Sequence, residues 1–501
     1  MPHSNASIVI ANPMFCMFAS LRRVWLLVRL YQITPLQSSI DLGRYKFKFL
    51  SMSRVIFHID MNSYFASCEQ QANPHLRTRP VGVCEHLGGI IIAPSIEAKR
   101  LGIKTACPVW EAQKICPDII LLPVDPDKYR DITRRFLKIF SDYTDMVERY
   151  SIDEAFLDIT HLVRGSKKNC WGAALLYALE IKWRIRREVG EWLTCSVGCG
   201  PNKLVAKIAS DMDKPDGVTV ISDKDVGKLY DKLSLTDIPG IAAMTQRQLN
   251  SLEIFSLRDL AEYPESKLRA HFGITGHHLH QMGKLEGGTD LVTPAEETVK
   301  SVGHAYTMPA ATSDERIIKK LLFKLSEKVA ARLRRRNLWG SVISCYCRFA
   351  TSPDLRSPSR YSPSRQVGTG YPSTSTKSER DGVRLGLSRN GSYSGIGKSR
   401  RINDFTNDGK TIFLQAWMLF KSFRANLPLR MAGVTVSGLV ENVRDEPLFE
   451  RYRRPRLASQ AMDKVNGRYG DFTLCRAALL EARDLAPDTV GFGRIKELGQ
   501  A

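Results

Sequence analysis

Alternation and periodicity of apolar residues divide this chain into elements. VIFHI, Val55 to Ile59, is a mainly apolar run between Arg54 and Asp60, the pattern of a buried strand, and a helix starting near Asn62 follows in MNSYFASCEQQ. RPVGVC and GGIIIAPS read as strands, and IEAKRLGIKTACPVWEAQKICP as a helix, a turn and a second helix. Tyr129 to Tyr143 has the period of an amphipathic helix, and VERYSIDEAFLDIT, Val147 to Thr160, that of strand, turn and strand. CWGAALLYALEIKWRIRREVGEW is helical at three-four spacing, LTCSVGCG a strand, and PNKLVAKIASDMDKP a helix.

The second half changes character. LSLTDIPGIAAMTQRQLNSLEIFSLRDLA has the shape of a helix-hairpin-helix turning at Pro239 to Ile241, and ESKLRAHFGITGHHLHQM resembles a weaker second hairpin. KSVGHAYTM reads as a strand, Ser313 to Arg336 as a long helix, SVISCYCRF as a strand, TIFLQAWMLFKSF as a helix and MAGVTVSGLVE as an alternating strand. A helix-rich stretch with Arg451, Arg453, Arg454 and Arg456 follows. Residues 351–402, rich in Ser, Pro, Gly and Arg, read as a disordered insertion within a domain. Residues 1–51 read as an N-terminal extension, disordered or preceding a true start at Met52; Arg22, Arg23 and Arg29 interrupt its second apolar run, which argues against a spanning helix there.

At 501 residues the chain holds three or more domains. Its 73 Lys and Arg against 52 Asp and Glu give a net charge of +21, which points to a polyanionic partner, nucleic acid before an anionic membrane. Eleven cysteines without a CxxC pair read as reduced thiols of a cytosolic protein, with no metal on sulfur.

The candidate chemistry gathers around Asp153 and Glu154. Two neighbouring carboxylates on one turn are costly without a cation between or opposite them, and Mg²⁺, bound through carboxylates and substrate phosphates, suits such a place. Asp60, delivered at the end of the first strand, completes a candidate two-metal phosphoryl-transfer site. Tyr64 and Phe65 follow Asp60 closely enough to wall a nucleotide pocket or to pack as core. Lys99, Arg100 and Lys104 make the next segment basic, and Lys203 and Lys207, four apart on one helix face, suit a triphosphate. Gly240 and Ile241 sit in a hairpin whose backbone N–H groups can meet a DNA phosphate.

HIDMNSYFASCE, EAKRLGIKTACP, RYSIDEAFLD, SVGCGPNKLVAKIASDMDKPDG, the DIPGI hairpin, KSVGHAYTMP and the closing VGFGRIKE occur in this order from Met52 to Glu497. Together they resemble the Y-family translesion DNA polymerases, on the DNA polymerase IV and kappa branch. The resemblance implies a mixed α+β, right-hand fold: palm at 52–72 and 130–210, fingers at 73–129, thumb at 211–290, a linker at 291–298, and a little finger at 299–490. It implies two Mg²⁺ ions bridged by Asp60 and Asp153, with Glu154 on the ion at the primer 3′-hydroxyl, Phe65 as steric gate against a ribose 2′-OH, and Lys203 on the triphosphate. Arg332, Arg334 and Arg335 would hold duplex phosphates with the hairpin. Primer-template DNA and dNTPs are the implied partners, with a sliding clamp, a monomeric state, a cytoplasmic setting and no membrane. Low fidelity without a proofreading exonuclease is implied too. Ile96 and Lys99 stand where the family often has Tyr and Arg, Asn62 where Asp is frequent, and Ala242 and Ala243 where the hairpin usually has glycine. A catalytically silent DNA-binding scaffold and a palm-type nucleotide cyclase are the competing classes.

Overall fold

The computed structural model describes residues 54–87, 89–165, 169–293, 298–350, 384–387, 393–424, 427–441, 450–482 and 485–487. The extension 1–51, the closing VGFGRIKE and the tail KELGQA, where a clamp peptide is expected, lie outside the described residues. Among the described residues no helix is long and apolar enough to cross a membrane.

The central sheet has the order β5-β6-β1-β7-β8, with β1 at Ile56–Met61, β5 at Val147–Arg149, β6 at Glu154–Asp158, β7 at Cys195–Gly200 and β8 at Val218–Val220. It therefore runs past the expected palm boundary at 210. β1 is antiparallel to both neighbours, and the ladder puts Asp60 opposite Glu154 on one side and Ser196 on the other. Side chains alternate across a strand, so the sheet has two distinct faces. Phe57, Ile59, Leu157, Val197 and Cys199 pack in one core with the helices Tyr64–Ala72, Pro126–Ser141 and Cys170–Arg184. Ile56, His58 and Asp60 share the other face, where Ile56 joins Phe156, Ala206 and Leu291 in a small cluster. That face is covered by the helix Lys203–Met212. A Cβ on Gly198 would come within 2.0 Å of the Ala206 carbonyl oxygen. Glycine is needed there for the helix to lie close on β7.

A three-stranded sheet of order β3-β2-β4 follows β1, with β2 at Val81–Cys84, β3 at Ile91–Pro94 and β4 at Ile120–Pro123. The short helix Ile96–Arg100 leaves it with Ser95 as N-cap, the hydroxyl accepting from the Ala98 N–H at 3.2 Å.

Residues after β8 are helical and share a core with Val205, Ile208 and Ala209 of the Lys203–Met212 helix. At the first hairpin Gly240 adopts φ 102°, and the buried Ile241 donates its N–H to the Ile238 carbonyl at 3.0 Å. The helices Glu265–Phe272 and Ile274–Gly283 meet at Gly273, so the second hairpin is formed as well.

The C-terminal sheet has the order β11-β12-β10-β13-β9, with β9 at Ser301–Thr312, β10 at Leu338–Ala350, β11 at Arg384–Leu387, β12 at Tyr393–Thr406 and β13 at Leu429–Glu441. The helices Glu315–Arg335 and Gly409–Lys421 pack on one face against Ile343, Cys345, Cys347, Phe349, Val434 and Val436. This corrects the reading of 351–402 as wholly disordered, because its last part supplies β11 and most of β12. Of the described side chains in YSGIGKSRRINDFT only Ile396 and Ile402 join the core, and a long backbone ladder to β10 holds the strand in the sheet instead.

Candidate active site

β1 ends at Met61 just past Asp60, and β6 begins with Glu154, so the strand register alone brings two carboxylates to one sheet edge. The intervening turn is closed by the Tyr150 and Ser151 N–H groups, which both donate to the Glu154 carbonyl, at 3.0 and 3.1 Å. The Met61 N–H donates to the Asp153 carbonyl at 2.9 Å and pins the turn to the end of β1. Asp60, Asp153 and Glu154 are thereby brought together.

Each carboxylate has a different neighbour. Asp60 Oδ2 lies 2.6 Å from Lys214 Nζ, which is also 2.6 Å from Asp211 Oδ1. Glu154 pairs with Lys207, and its Oε2 lies 3.0 Å from His58 Nε2. Asp153 Oδ1 accepts from the Ser151 hydroxyl at 2.5 Å and has no cation of its own in contact among these neighbours. The electrostatics follow. Burial, then the charges of Asp60 and Glu154, push the Asp153 carboxyl up to about 7. Burial alone would raise Glu154, but the contacts with His58 and Lys207 outweigh it and hold the group at about 2. Drawn toward separate partners, these side chains form no ready-made metal cluster among the described residues. The donor set nevertheless fits a hard divalent cation. It offers only oxygens, and one buried carboxyl is raised by the two negative charges beside it.

Lys203 falls elsewhere than expected. Its ammonium donates to Glu148 Oε2 at 2.9 Å and stands 5.9 Å from the Phe156 ring centre. Three lysines thus meet three strands: Lys203 with Glu148 on β5, Lys207 with Glu154 on β6, Lys214 with Asp60 on β1. Lys214 and Lys207 are the cations at the carboxylates, and Lys203 is not. Lys99 does face the site. Burial and the neighbouring Lys214 charge lower its ammonium pKa, while Asp60 and Asp153 act in the opposite sense. Asn62 is buried and structural: its Oδ1 accepts from the Asp216 N–H at 2.8 Å and its Nδ2 donates to Ser196 at 3.0 Å. It holds the loop that carries Lys214.

Tyr64 turns into the core, its hydroxyl donating to the Tyr129 carbonyl at 2.8 Å and meeting Thr133 Oγ1 at 2.8 Å, which removes it from the nucleotide pocket. Phe65 is also buried, stacked on Tyr129 with ring centres 4.4 Å apart and planes 10° from parallel. The Tyr129 hydroxyl donates to Glu69 at 2.8 Å, so the Phe65 ring rests on an anchored partner.

The arginine cluster also needs correcting. Arg334 makes a two-pronged pair with Asp463, at 2.5 and 2.8 Å, and donates to the Asn407 carbonyl at 2.9 Å. Arg335 pairs with Asp471, and Arg332 donates to the Gly303 carbonyl at 3.2 Å. These guanidinium groups tie the Glu315–Arg335 helix to its own domain. At the first hairpin, Ile241 is a buried anchor, Gly240 provides the turn, and the helix Ala243–Asn250 has no side-chain cap on its first-turn N–H groups.

A carboxylate-edged sheet, a three-stranded sheet, paired helical hairpins and an appended five-stranded domain make up the fold of a Y-family polymerase. A solved Y-family DNA polymerase chimera shares it, at TM-score 0.61 and 24% identity, over 77% of this chain and 100% of that one. Residues 59–211 match the impB/mucB/samB family and residues 299–447 that family's C-terminal domain. DNA polymerase IV of Moorella thermoacetica is 34% identical, covering 84% of this chain and 95% of the relative. DNA polymerase IV 1 of Bacillus subtilis is 31% identical, covering 88% and 97%. The chain belongs to the impB/mucB/samB family, on its DNA polymerase IV branch.

Proposed function

We propose that this chain is a template-directed DNA polymerase of the translesion class, extending a primer 3′ end with dNTPs. The observation that carries the reading is the meeting of Asp60, Asp153 and Glu154 at the ends of β1 and β6. Two Mg²⁺ ions held by Asp60, Asp153 and Glu154 would supply Lewis-acid activation of the 3′-hydroxyl and neutralise the leaving pyrophosphate. The protein's part is positioning and charge. Lys214 and Lys99 stand on the Asp60 side and receive the triphosphate. Phe65, backed by Tyr129, presents a ring that leaves no room for a 2′-hydroxyl. The uncapped N–H groups at the start of the Ala243–Asn250 helix receive a duplex phosphate. The basic surface holds primer-template DNA, and a sliding clamp, a monomeric state and a cytoplasmic setting complete the reading.

The test is gel-resolved primer extension by wild type and Asp153→Ala, with dNTPs and rNTPs offered separately. Extension with dNTPs alone, lost in the variant, supports the proposal. A folded, DNA-binding wild type that extends nothing with Mg²⁺ or Mn²⁺ overturns it and leaves a scaffold.

A further inference from the structure

One buried polar group at the site has no part in the chemistry above. His58 is 0% exposed and sits on β1 two residues before Asp60, on the same face. Its Nδ1 lies 2.7 Å from Ser210 Oγ, and the Ser210 hydroxyl donates to the Lys207 carbonyl at 2.7 Å. The hydroxyl's one proton is therefore committed, so Ser210 accepts and His58 Nδ1 donates. Nε2 is turned to Glu154 Oε2 at 3.0 Å, and Lys207 Nζ stands 3.3 Å from Nε2 while pairing with that same carboxylate oxygen. One ammonium serves both acceptors. The ring cannot swing away, because Phe156 packs on it at 4.6 Å between centres and Tyr150 meets it edge-on at 6.5 Å.

The two oxygens of Glu154 are consequently unequal. Oε2 accepts from Lys207, whose ammonium also serves His58 Nε2. Among the described residues Oε1 has only a long 3.4 Å approach from the Ser151 hydroxyl, whose shorter contact is to Asp153 at 2.5 Å.

We propose that His58 is a positioning residue: braced by Ser210 and the two rings, its Nε2 accepts from Lys207 and keeps that ammonium on Oε2 of Glu154, which leaves Oε1, on the Ser151 side with Asp153, to the metal ion at the primer terminus. The proposal rests on the polymerase reading for the identity of that ion, but not for the pinning itself. Partners behind a ligand fix its orientation, and losing one typically costs about 10- to 100-fold in metal affinity.

The experiment is an EPR titration of Mn²⁺ into the full-length protein bound to a dideoxy-terminated primer-template, where no chemistry occurs. It is paired with single-turnover extension at varied Mg²⁺ and dNTP. His58→Phe keeps a ring of similar size without nitrogens, Ser210→Ala removes the brace, and His58→Gln restores an acceptor for Lys207. Weakening of Mn²⁺ binding by roughly tenfold in the first two is expected. The Mg²⁺ requirement should rise to match while the dNTP dissociation constant stays put, and His58→Gln should recover most of the loss. Wild-type Mn²⁺ binding in a folded His58→Phe or in Ser210→Ala overturns the proposal. If His58→Phe does not fold, Ser210→Ala decides alone. A wild type that binds Mn²⁺ in an Asp153-dependent way yet extends no primer sinks the polymerase reading, while the titration still decides the role of His58.

Discussion

Leu291→Ala tests how the chain returns from the helical hairpins to the palm. After the Ile274–Gly283 helix the backbone runs back across the sheet, and Leu291, 4% exposed, inserts among Ile56, Phe156 and Ala206. Polar contacts flank it. The Val292 N–H donates to Glu148 Oε2 at 2.9 Å, Lys203 N–H to the Gly288 carbonyl at 3.1 Å, Asn202 Nδ2 to the Leu285 carbonyl at 3.0 Å, and Arg54 to the Thr289 carbonyl at 2.9 Å. Buried Leu→Ala changes cost about 2–5 kcal/mol, less where the site can collapse. A surface segment is free to relax, so about 2–3 kcal/mol is the fitting range here. If the segment opens as a local unit, that cost appears as faster amide exchange rather than global unfolding. At about 1.4 kcal/mol per tenfold, Val292 should exchange roughly 30- to 140-fold faster. Hydrogen-exchange mass spectrometry would follow peptides spanning 285–293 and 147–158. The first should lose protection, and the second, closed by its own turn bonds, should keep it. Unchanged exchange at Val292 in the folded variant would refute the idea that Leu291 fastens this segment.

Four other outcomes are expected. Lys214→Ala should raise the KM for dNTPs severalfold in steady-state extension, and Lys203→Ala should leave it unchanged. Arg334→Ala should cost the C-terminal domain about 2–4 kcal/mol in a thermal melt, since it strands Asp463, without altering the salt slope of DNA binding as a phosphate contact would. Phe65→Ala should admit rNTPs in an extension gel while dNTP incorporation persists. EDTA should stop extension, and added Mg²⁺ should restore it, with DNA retained in a mobility shift throughout.

Much of the carboxylate edge was legible because its determinants are local. An apolar run ending in Asp60, and two apolar runs meeting at SIDE, fix strand ends, and the strand ends fix the carboxylates. The lysines were harder to read. Periodicity tells which lysines share a helix face, but not over which strand each one lies, and Lys214 follows the end of its helix in a loop positioned by Asn62. Arg332, Arg334 and Arg335 look alike in sequence whether they face DNA or protein. Asp463 and Asp471, which engage two of them, come from more than a hundred residues downstream. β12 escaped for the opposite reason: its order comes from backbone pairing with β10, which leaves little trace in side-chain pattern.

That pairing also bears on how this chain can vary. Ala350 and Tyr393 are direct partners across β10 and β12, so everything between them departs from and returns to a single rung of the sheet. Closing a flexible loop costs only about 0.6 kcal/mol for each doubling of its length. Sequence added there outside β11, which pairs with β12, should carry little thermodynamic penalty, and nothing in the carboxylate edge is required to respond. The rung is a natural grafting port, where a reporter or an added binding module should be carried without retuning the polymerase.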